Sequence, residues 1–250
     1  MVLRPLPQKI MMAQTRILEW YSAWDGECYV SFSGGKDSTA LAYLVASVLN
    51  SMDKPYSLYL LFLDTGLEFP EIRKFTKEYA EWLSKQFPRV EVHLDVERPK
   101  MRFDEVIKHW GYPIISKEVA QKIHEARSKE GGAVWNQLHG TYVSKNGKTN
   151  AKNFVKWRYL LDAPFKISHR CCYAMKKNPA KRYERRTGRK PLVAMMADES
   201  FARQTKWMQT GCNAFDGDRP TSNPMMPWTE QDILRFLKDY KIPFSLAPMQ

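Results

Sequence analysis

The chain has 250 residues, enough to bury a full hydrophobic core, and its 44% hydrophobic and 26% charged content is ordinary for a folded protein. No run of eighteen apolar residues occurs, which excludes an apolar membrane-spanning helix, and four cysteines outside any disulfide-dense pattern suit a reducing cytoplasm. The net charge of +12 points away from basic partners and toward acidic ones.

The opening MVLRPLPQKIMMAQTRILEW lacks the apolar block of a signal peptide and predicts an amphipathic helix. Cys28 to Phe32 predicts a short buried strand, and Thr39 to Leu49 is apolar all round, as a mostly buried helix is. Between them lies SFSGGKDST, a glycine turn leading into the first helical turn. Ser57 to Leu63 predicts a second buried strand, followed by Asp64-Thr65-Gly66. Phe69 to Phe87 predicts an amphipathic helix opened by Pro70, and Arg89 to Leu94 alternates as a third strand.

Glu118 to Arg127 predicts a helix. Residues 128–165 break the rhythm with Gly131-Gly132, Gly140 and SKNGKTN, and their aromatics predict a helical and loop insertion within one domain spanning 1–250. A basic helix ends at Gly188, Pro191 to Met196 predicts a further strand, and Thr229 with Asp232 makes a capping box for the last helix, stopped by Pro243. Strands alternating with helices predict an α/β fold, a parallel sheet covered on both faces.

In such a sheet the carboxyl ends of the strands open onto the ligand crevice. Three stretches follow strand ends. Ser33-Gly34-Gly35-Lys36-Asp37-Ser38 is not a Walker A loop, which would need glycine at Val30, yet it has the parts to hold pyrophosphate. Gly34 and Gly35 let backbone N–H groups approach an anion, Lys36 supplies charge, and Ser33 and Ser38 supply hydroxyls. A plain glycine turn is the alternative. At Asp64-Thr65-Gly66 a carboxylate and hydroxyl are placed to meet a ribose or the metal carried by ATP, unless Asp64 only caps the next helix. In MADESFARQ, Ser200 and Arg203 are one helical turn apart and able to grip an anion, unless Glu199 simply pairs with Arg203.

Charge is locally concentrated too. Lys166 to Lys190 holds ten Lys or Arg against one acid, Glu184. Such a block, with Lys176, Lys177, Arg182, Arg185 and Arg186 at its centre, suits nucleic acid or another polyanion; the alternative is a solvated helix face.

SGGKDS, DTGLEFPEI, CCYAMKKNP and MADESFARQ occur in the order found in the phosphoadenosine phosphosulfate reductase-like family of N-type ATP pyrophosphatases, and the chain resembles that family from about residue 27 to 244. The resemblance implies a Rossmann-like open sheet of the adenine nucleotide alpha hydrolase-like kind. It implies ATP with Mg2+ at Ser33 to Ser38, Asp64, Thr65, Gly66, Ser200 and Arg203, and catalytic roles for Lys36, Asp37 and Arg203.

It also implies three functional readings. The first is an ATP pyrophosphatase that activates an oxygen for replacement by sulfur, as in DNA phosphorothioation and RNA thiolation, with a nucleic-acid acceptor and a sulfur donor protein of the cysteine desulfurase type. The second is a sulfonucleotide reductase; family reductases carry a nucleophilic cysteine in a C-terminal tail, and no cysteine follows Cys212. The third is a non-catalytic nucleotide-binding partner module, disfavoured by the intact Lys36 and Asp37. An oligomer is compatible with all three.

Cys171, Cys172 and Cys212 admit three arrangements: a 4Fe–4S cluster with one iron open to sulfide, zinc with His169 as fourth ligand, or reduced thiols with no metal. His169, Arg170, Lys176 and Lys177 beside the first two predict thiolate character. Cys28, in a buried strand, is expected in the core.

Overall fold

The computed structural model describes residues 4–144 and 154–245; the loop signal SKNGKTN falls, from Lys145 onward, outside them. The chain divides into two compact units, one formed by residues 1–97 with 180–250 and the other by residues 98–179.

The first unit holds a six-stranded sheet in the order β3-β2-β1-β4-β6-β5, from β1 (Cys28–Ser31), β2 (Leu58–Leu63), β3 (Val92–Glu97), β4 (Lys190–Leu192), β5 (Asn213–Ala214) and β6 (Thr221–Ser222). All neighbours are parallel except β5 and β6, which are antiparallel. The chain runs from β1 outward to β2 and β3, then returns to the other side of β1 as β4. That reversal makes the gap beyond the ends of β1 and β4 the topological switch point of the sheet.

Side chains of successive strand residues face opposite ways. Cys28 and Val30 therefore enter the large core with Leu58 and Leu60, while Tyr29 faces the other layer with Leu61 and Tyr183. The large core is covered by α1 (Leu6–Ala23), α2 (Lys36–Ser51), α3 (Pro70–Gln86) and α9 (Glu230–Asp239). As expected of a helix apolar all round, ten of the sixteen residues of α2 are buried. Tyr183 belongs to α7 (Asn178–Thr187), which covers the opposite face. The α/β open sheet with helices on both faces is thus the observed fold. Among the described residues no helix is long and apolar enough to cross a membrane.

Two strands differ from expectation. β3 begins at Val92 rather than Arg89, because Val90 N–H bonds back to the Phe87 carbonyl in a turn, and it continues through Glu97 by pairing with β2. β4 ends at Leu192 rather than Met196, because Met195 N–H bonds to the Val193 carbonyl and curls the chain out of the sheet. The capping box of α9 is present: Thr229 Oγ1 accepts from Asp232 N–H, and Asp232 Oδ2 accepts from Thr229 N–H at 2.8 Å.

The second unit is helical, with α4 (Phe103–Trp110), α5 (Lys117–Ser128), α6 (Ala133–His139) and a 3-10 segment at Val155–Asp162. The expected 128–165 insertion lies inside this wider stretch. Val119, Ala120, Ile123 and Ala126, spaced along one face of α5, pack with Leu138, Leu160 and Ile167. Arg127 ties the 3-10 segment to α5 by donating to the carbonyls of Leu160, Leu161, Ala163 and Phe165 over 2.6–3.0 Å. A guanidinium with five donors in a fixed fork is suited to a cluster of carbonyls left unpaired by a short helix.

Charge is divided very unequally. Residues 98–179 carry 17 Lys or Arg against 6 Asp or Glu, a net +11 of the whole chain's +12.

Candidate nucleotide site and the cysteines

The loop after β1 crosses directly into α2, whose N-cap Gly35 makes no side-chain capping bond. Gly34 sits at φ +76°, and a Cβ built there would lie 3.1 Å from both Ile72 Cγ2 and Thr76 Cγ2 of α3. Only glycine meets both demands cheaply, a left-handed backbone and close approach of a neighbouring helix. The serines hold the turn together: Ser33 Oγ and Ser38 Oγ are 3.1 Å apart, Ser33 N–H donates to Ser38 Oγ at 3.2 Å, and Ser38 Oγ donates to the Gly35 carbonyl at 2.9 Å. The result is a short concave turn at a helix N-terminus, the geometry in which backbone N–H groups receive phosphate oxygens.

Lys36 Nζ lies 3.3 Å from Asp37 Oδ1 and 3.3 Å from Glu230 Oε1 at the start of α9. Partial burial works against its charge, but Asp37 and Glu230 outweigh this and raise its pKa, so Lys36 is cationic at neutral pH. Burial raises the pKa of Asp37; Lys36 opposes this, while Glu199 and Glu230 add to it. Glu199, in the loop after β4, thus shares an electrostatic neighbourhood with the loop after β1.

The second stretch is tied down locally. Asp64, buried, accepts from Arg73 Nη2 at 3.0 Å and from Gly66 N–H at 3.1 Å. Thr65 donates through N–H and Oγ1 to the two oxygens of Glu68, at 2.8 and 2.7 Å. In the third stretch the local pair forms: Arg203 Nη1 contacts Glu199 Oε1, and Ser200 Oγ accepts from Arg203 N–H at 3.3 Å as N-cap of α8 (Phe201–Thr210). Arg203 and Lys36 therefore each hold a carboxylate, and an incoming phosphate would exchange one anionic partner for another.

Glu68, Arg73 and Glu230 are the site residues that sequence reasoning missed. Glu68 had a legible signal, standing three residues beyond Thr65 at capping-box spacing. Arg73 and Glu230 had none, since their partners lie 9 and 194 residues away in sequence.

The cysteines are spread over both units. Cys171 and Cys172 belong to the helical unit and Cys212 to the sheet unit, so neither unit alone supplies three thiolates. Among the described residues no group of three or more His, Cys, Asp or Glu side chains is gathered as a metal site. The expected thiolate character of Cys171 is corrected: burial raises its pKa, outweighing the backbone hydrogen bonds and the Lys117 charge that lower it. Cys212 is raised as well, again by burial. Cys28 is buried in the core, as expected, and burial drives its pKa far up. His169 is lowered by burial, with His124 and Lys117 adding to the effect.

The basic block is also redistributed. Arg182 Nη2 donates to Glu97 Oε2 at 2.9 Å, Arg186 contacts Glu97 Oε1, and Arg189 Nη1 lies 3.4 Å from Asp95 Oδ2. Three of the ten basic residues of the stretch thus pair with carboxylates of β3.

Comparison with curated proteins returns no match. Among solved structures the chain is similar to the U34-tRNA thiolase NcsA from Methanococcus maripaludis, determined with its 4Fe–4S cluster, at 12% identity, a TM-score of 0.46, and coverage of 97% of this chain and 68% of that one. Residues 27–246 match the model of the phosphoadenosine phosphosulfate reductase domain, a span that takes in every strand and the whole loop from Ser33 to Ser38, and the chain belongs to that family.

Proposed function

We propose that the protein is an ATP pyrophosphatase that activates an oxygen of a nucleic acid for replacement by sulfur. The observation that carries the reading is the Ser33–Ser38 turn at the switch point of the sheet, with Lys36 charged beside it. In this reading the turn and the N-terminus of α2 receive the phosphates of ATP, and Lys36 and Arg203 leave their carboxylate partners for phosphate oxygens. Magnesium carried by the triphosphate would be held by Asp37, whose Oδ1, 3.3 Å from Lys36 Nζ, is freed as Lys36 turns to phosphate. The ion would neutralise charge building on the leaving pyrophosphate.

An acceptor oxygen attacks the α-phosphorus, the bond to the β-phosphate bridging oxygen breaks, and pyrophosphate leaves. The terminal sulfur of a persulfide, carried by a donor protein of the cysteine desulfurase type, then attacks and displaces AMP. A second thiol of the donor attacks the sulfur on the donor side of the resulting acceptor–S–S–donor bond, leaving one sulfur on the acceptor and a disulfide on the donor. Support for a nucleic-acid acceptor comes from the net +11 on residues 98–179, far more than a mononucleotide requires.

The test is pyrophosphate release from ATP, measured with a panel of single- and double-stranded DNA and RNA. Release that depends on one nucleic-acid class and vanishes in Lys36→Ala is the expected result. Thioredoxin-dependent sulfite release from adenylylsulfate or its 3′-phosphorylated form, with no pyrophosphate from ATP, would replace this reading with a sulfonucleotide reductase.

A further inference from the structure

Within the helical unit, a cavity of about 640 Å³ lies between the end of α4, the start of α5 and the turn that carries Cys171. Three cations line it, Lys117, Arg170 and Lys177, together with the rings of Trp110 and Tyr173 and the amide of Gln121. His169 completes the wall, and among the described residues no carboxylate lines it. The Arg170 guanidinium lies over the Trp110 ring, 4.5 Å from its centre, so the two form a cation–π platform. Tyr173 is 49% exposed, large and amphipathic, and opens onto the same space. It begins a π-helical turn, Tyr173–Lys177, which brings Lys177 to the same wall.

A purely structural ion-pair cluster would include acids, and a site for a simple anion would need no exposed aromatic ring. Cations combined with stackable rings match a ligand that is both planar and phosphorylated. The volume is that of a site for one nucleotide-sized ligand, within the range of about 300–1,000 Å³ usual for small-ligand pockets.

We infer that this cavity holds one unpaired nucleotide of a single-stranded nucleic acid, its base stacked on Tyr173 or on the Arg170–Trp110 platform and its phosphates met by Lys117 and Lys177. A single strand is favoured over a free nucleotide because the positive charge extends over the whole unit, beyond what one phosphate group can engage. A base paired in a duplex has both faces covered and cannot enter. The inference rests on the nucleic-acid reading above and names the place where that reading's acceptor strand would be gripped.

The experiment is fluorescence anisotropy of the full chain with labelled 12-nucleotide single strands of DNA and RNA, a hairpin duplex of equal charge, and unlabelled mononucleotides as competitors. Tyr173→Ala should weaken single-strand binding about 10-fold, the loss of one stacked base. Lys117→Gln, on the exposed wall, should flatten the log–log salt dependence by about 0.7, one phosphate contact on a single strand. Far-ultraviolet circular dichroism of both variants should match that of the parent. Lys36→Ala should leave strand binding intact, so that failure of the ATP reading and failure of this one are told apart. The inference is overturned if the parent fails to bind single strands, if the hairpin binds as tightly with the same sensitivity to Tyr173→Ala, or if mononucleotides fill the cavity while strands are indifferent to both substitutions.

Discussion

Arg182 of α7 donates to Glu97 at the end of β3 over 2.9 Å, and Arg186, one helical turn later, takes the other oxygen of the same carboxylate. The Glu97 side chain is only 13% exposed. These two arginines are therefore fasteners between a helix and the sheet it covers. Replacing both with Ala should cost about 1–3 kcal/mol, the cost of leaving a mostly buried charged acceptor unsatisfied, while hardly changing the salt dependence of nucleic-acid binding. Chemical denaturation and anisotropy on the same double variant check the two halves of this expectation.

Gly34→Ala should destabilise the protein by about 1–2 kcal/mol, since a Cβ at φ +76° is strained and meets α3 at 3.1 Å. The greater effect should be on nucleotide binding, because the turn must shift to admit the methyl group. Calorimetric titration with Mg–ATP beside thermal melting separates the two; unchanged affinity would show that the turn does not cradle phosphate.

Glu230 competes for Lys36 with any incoming phosphate. Glu230→Gln should tighten ATP binding about 2- to 5-fold, matching the modest worth of an exposed ion pair, and calorimetry reads it directly. A weakened affinity would mean that Glu230 positions Lys36 rather than restraining it.

The raised pKa of Cys171 has a kinetic signature. A thiol shifted upward is less ionised at pH 7, so Cys171 should alkylate with iodoacetamide more slowly than a free cysteine, its rate climbing only at pH values above the usual thiol range. Peptide mapping of a pH series measures this. Fast labelling at pH 7 would restore the lowered pKa that its cationic neighbours suggest.

Lys9 is 2% exposed, and its ammonium lies 2.5 Å from Asp232 Oδ2 inside the capping box of α9. Burial alone would raise the Asp232 pKa, but the bonds from Lys9 and Thr229 outweigh it and hold it below the ordinary carboxylate value. With the folded pKa depressed, the stabilisation is complete above the unfolded value near 3.8 and is lost as pH falls through the lower folded one. Lys9→Met should cost about 3 kcal/mol at pH 7, and less in acid, where Asp232 no longer needs a partner; urea melts at pH 7 and pH 3 test both parts.

What the sequence made legible was local. The strand, turn and helix around Ser33–Ser38 are contiguous, and hydrophobic run length with two glycines sufficed to place them. The Thr229–Asp232 box was legible for the same reason. α4 carried a signal as well, with Phe103, Val106, Ile107 and Trp110 at i, i+3, i+4 and i+7, but the stripe lasts only two turns and just Val106 is buried. β5 and β6 have two residues each, too few for any alternation to register. The partnerships of Lys9 with Asp232 and of α7 with β3 join residues 223 and 85–89 positions apart, which no window spans. The charge was noticed in the wrong frame. A window from 166 to 190 straddles two units, and three of its arginines are held by Asp95 and Glu97 outside it, whereas the helical unit as a whole carries the excess.

The same β3 carboxylates bear on how the protein avoids its own kind. β3 is an outer strand of the sheet, six residues long, and in a bare form it would offer a template for another chain's backbone. Asp95 and Glu97, with the three arginines they hold on the α7 side, fix charge on that outer strand, which disfavours its pairing with an apolar strand. The opposite rim needs less protection, because β5 is only two residues long and runs against its neighbour. Fasteners of the fold thus double as a guard against edge-to-edge aggregation.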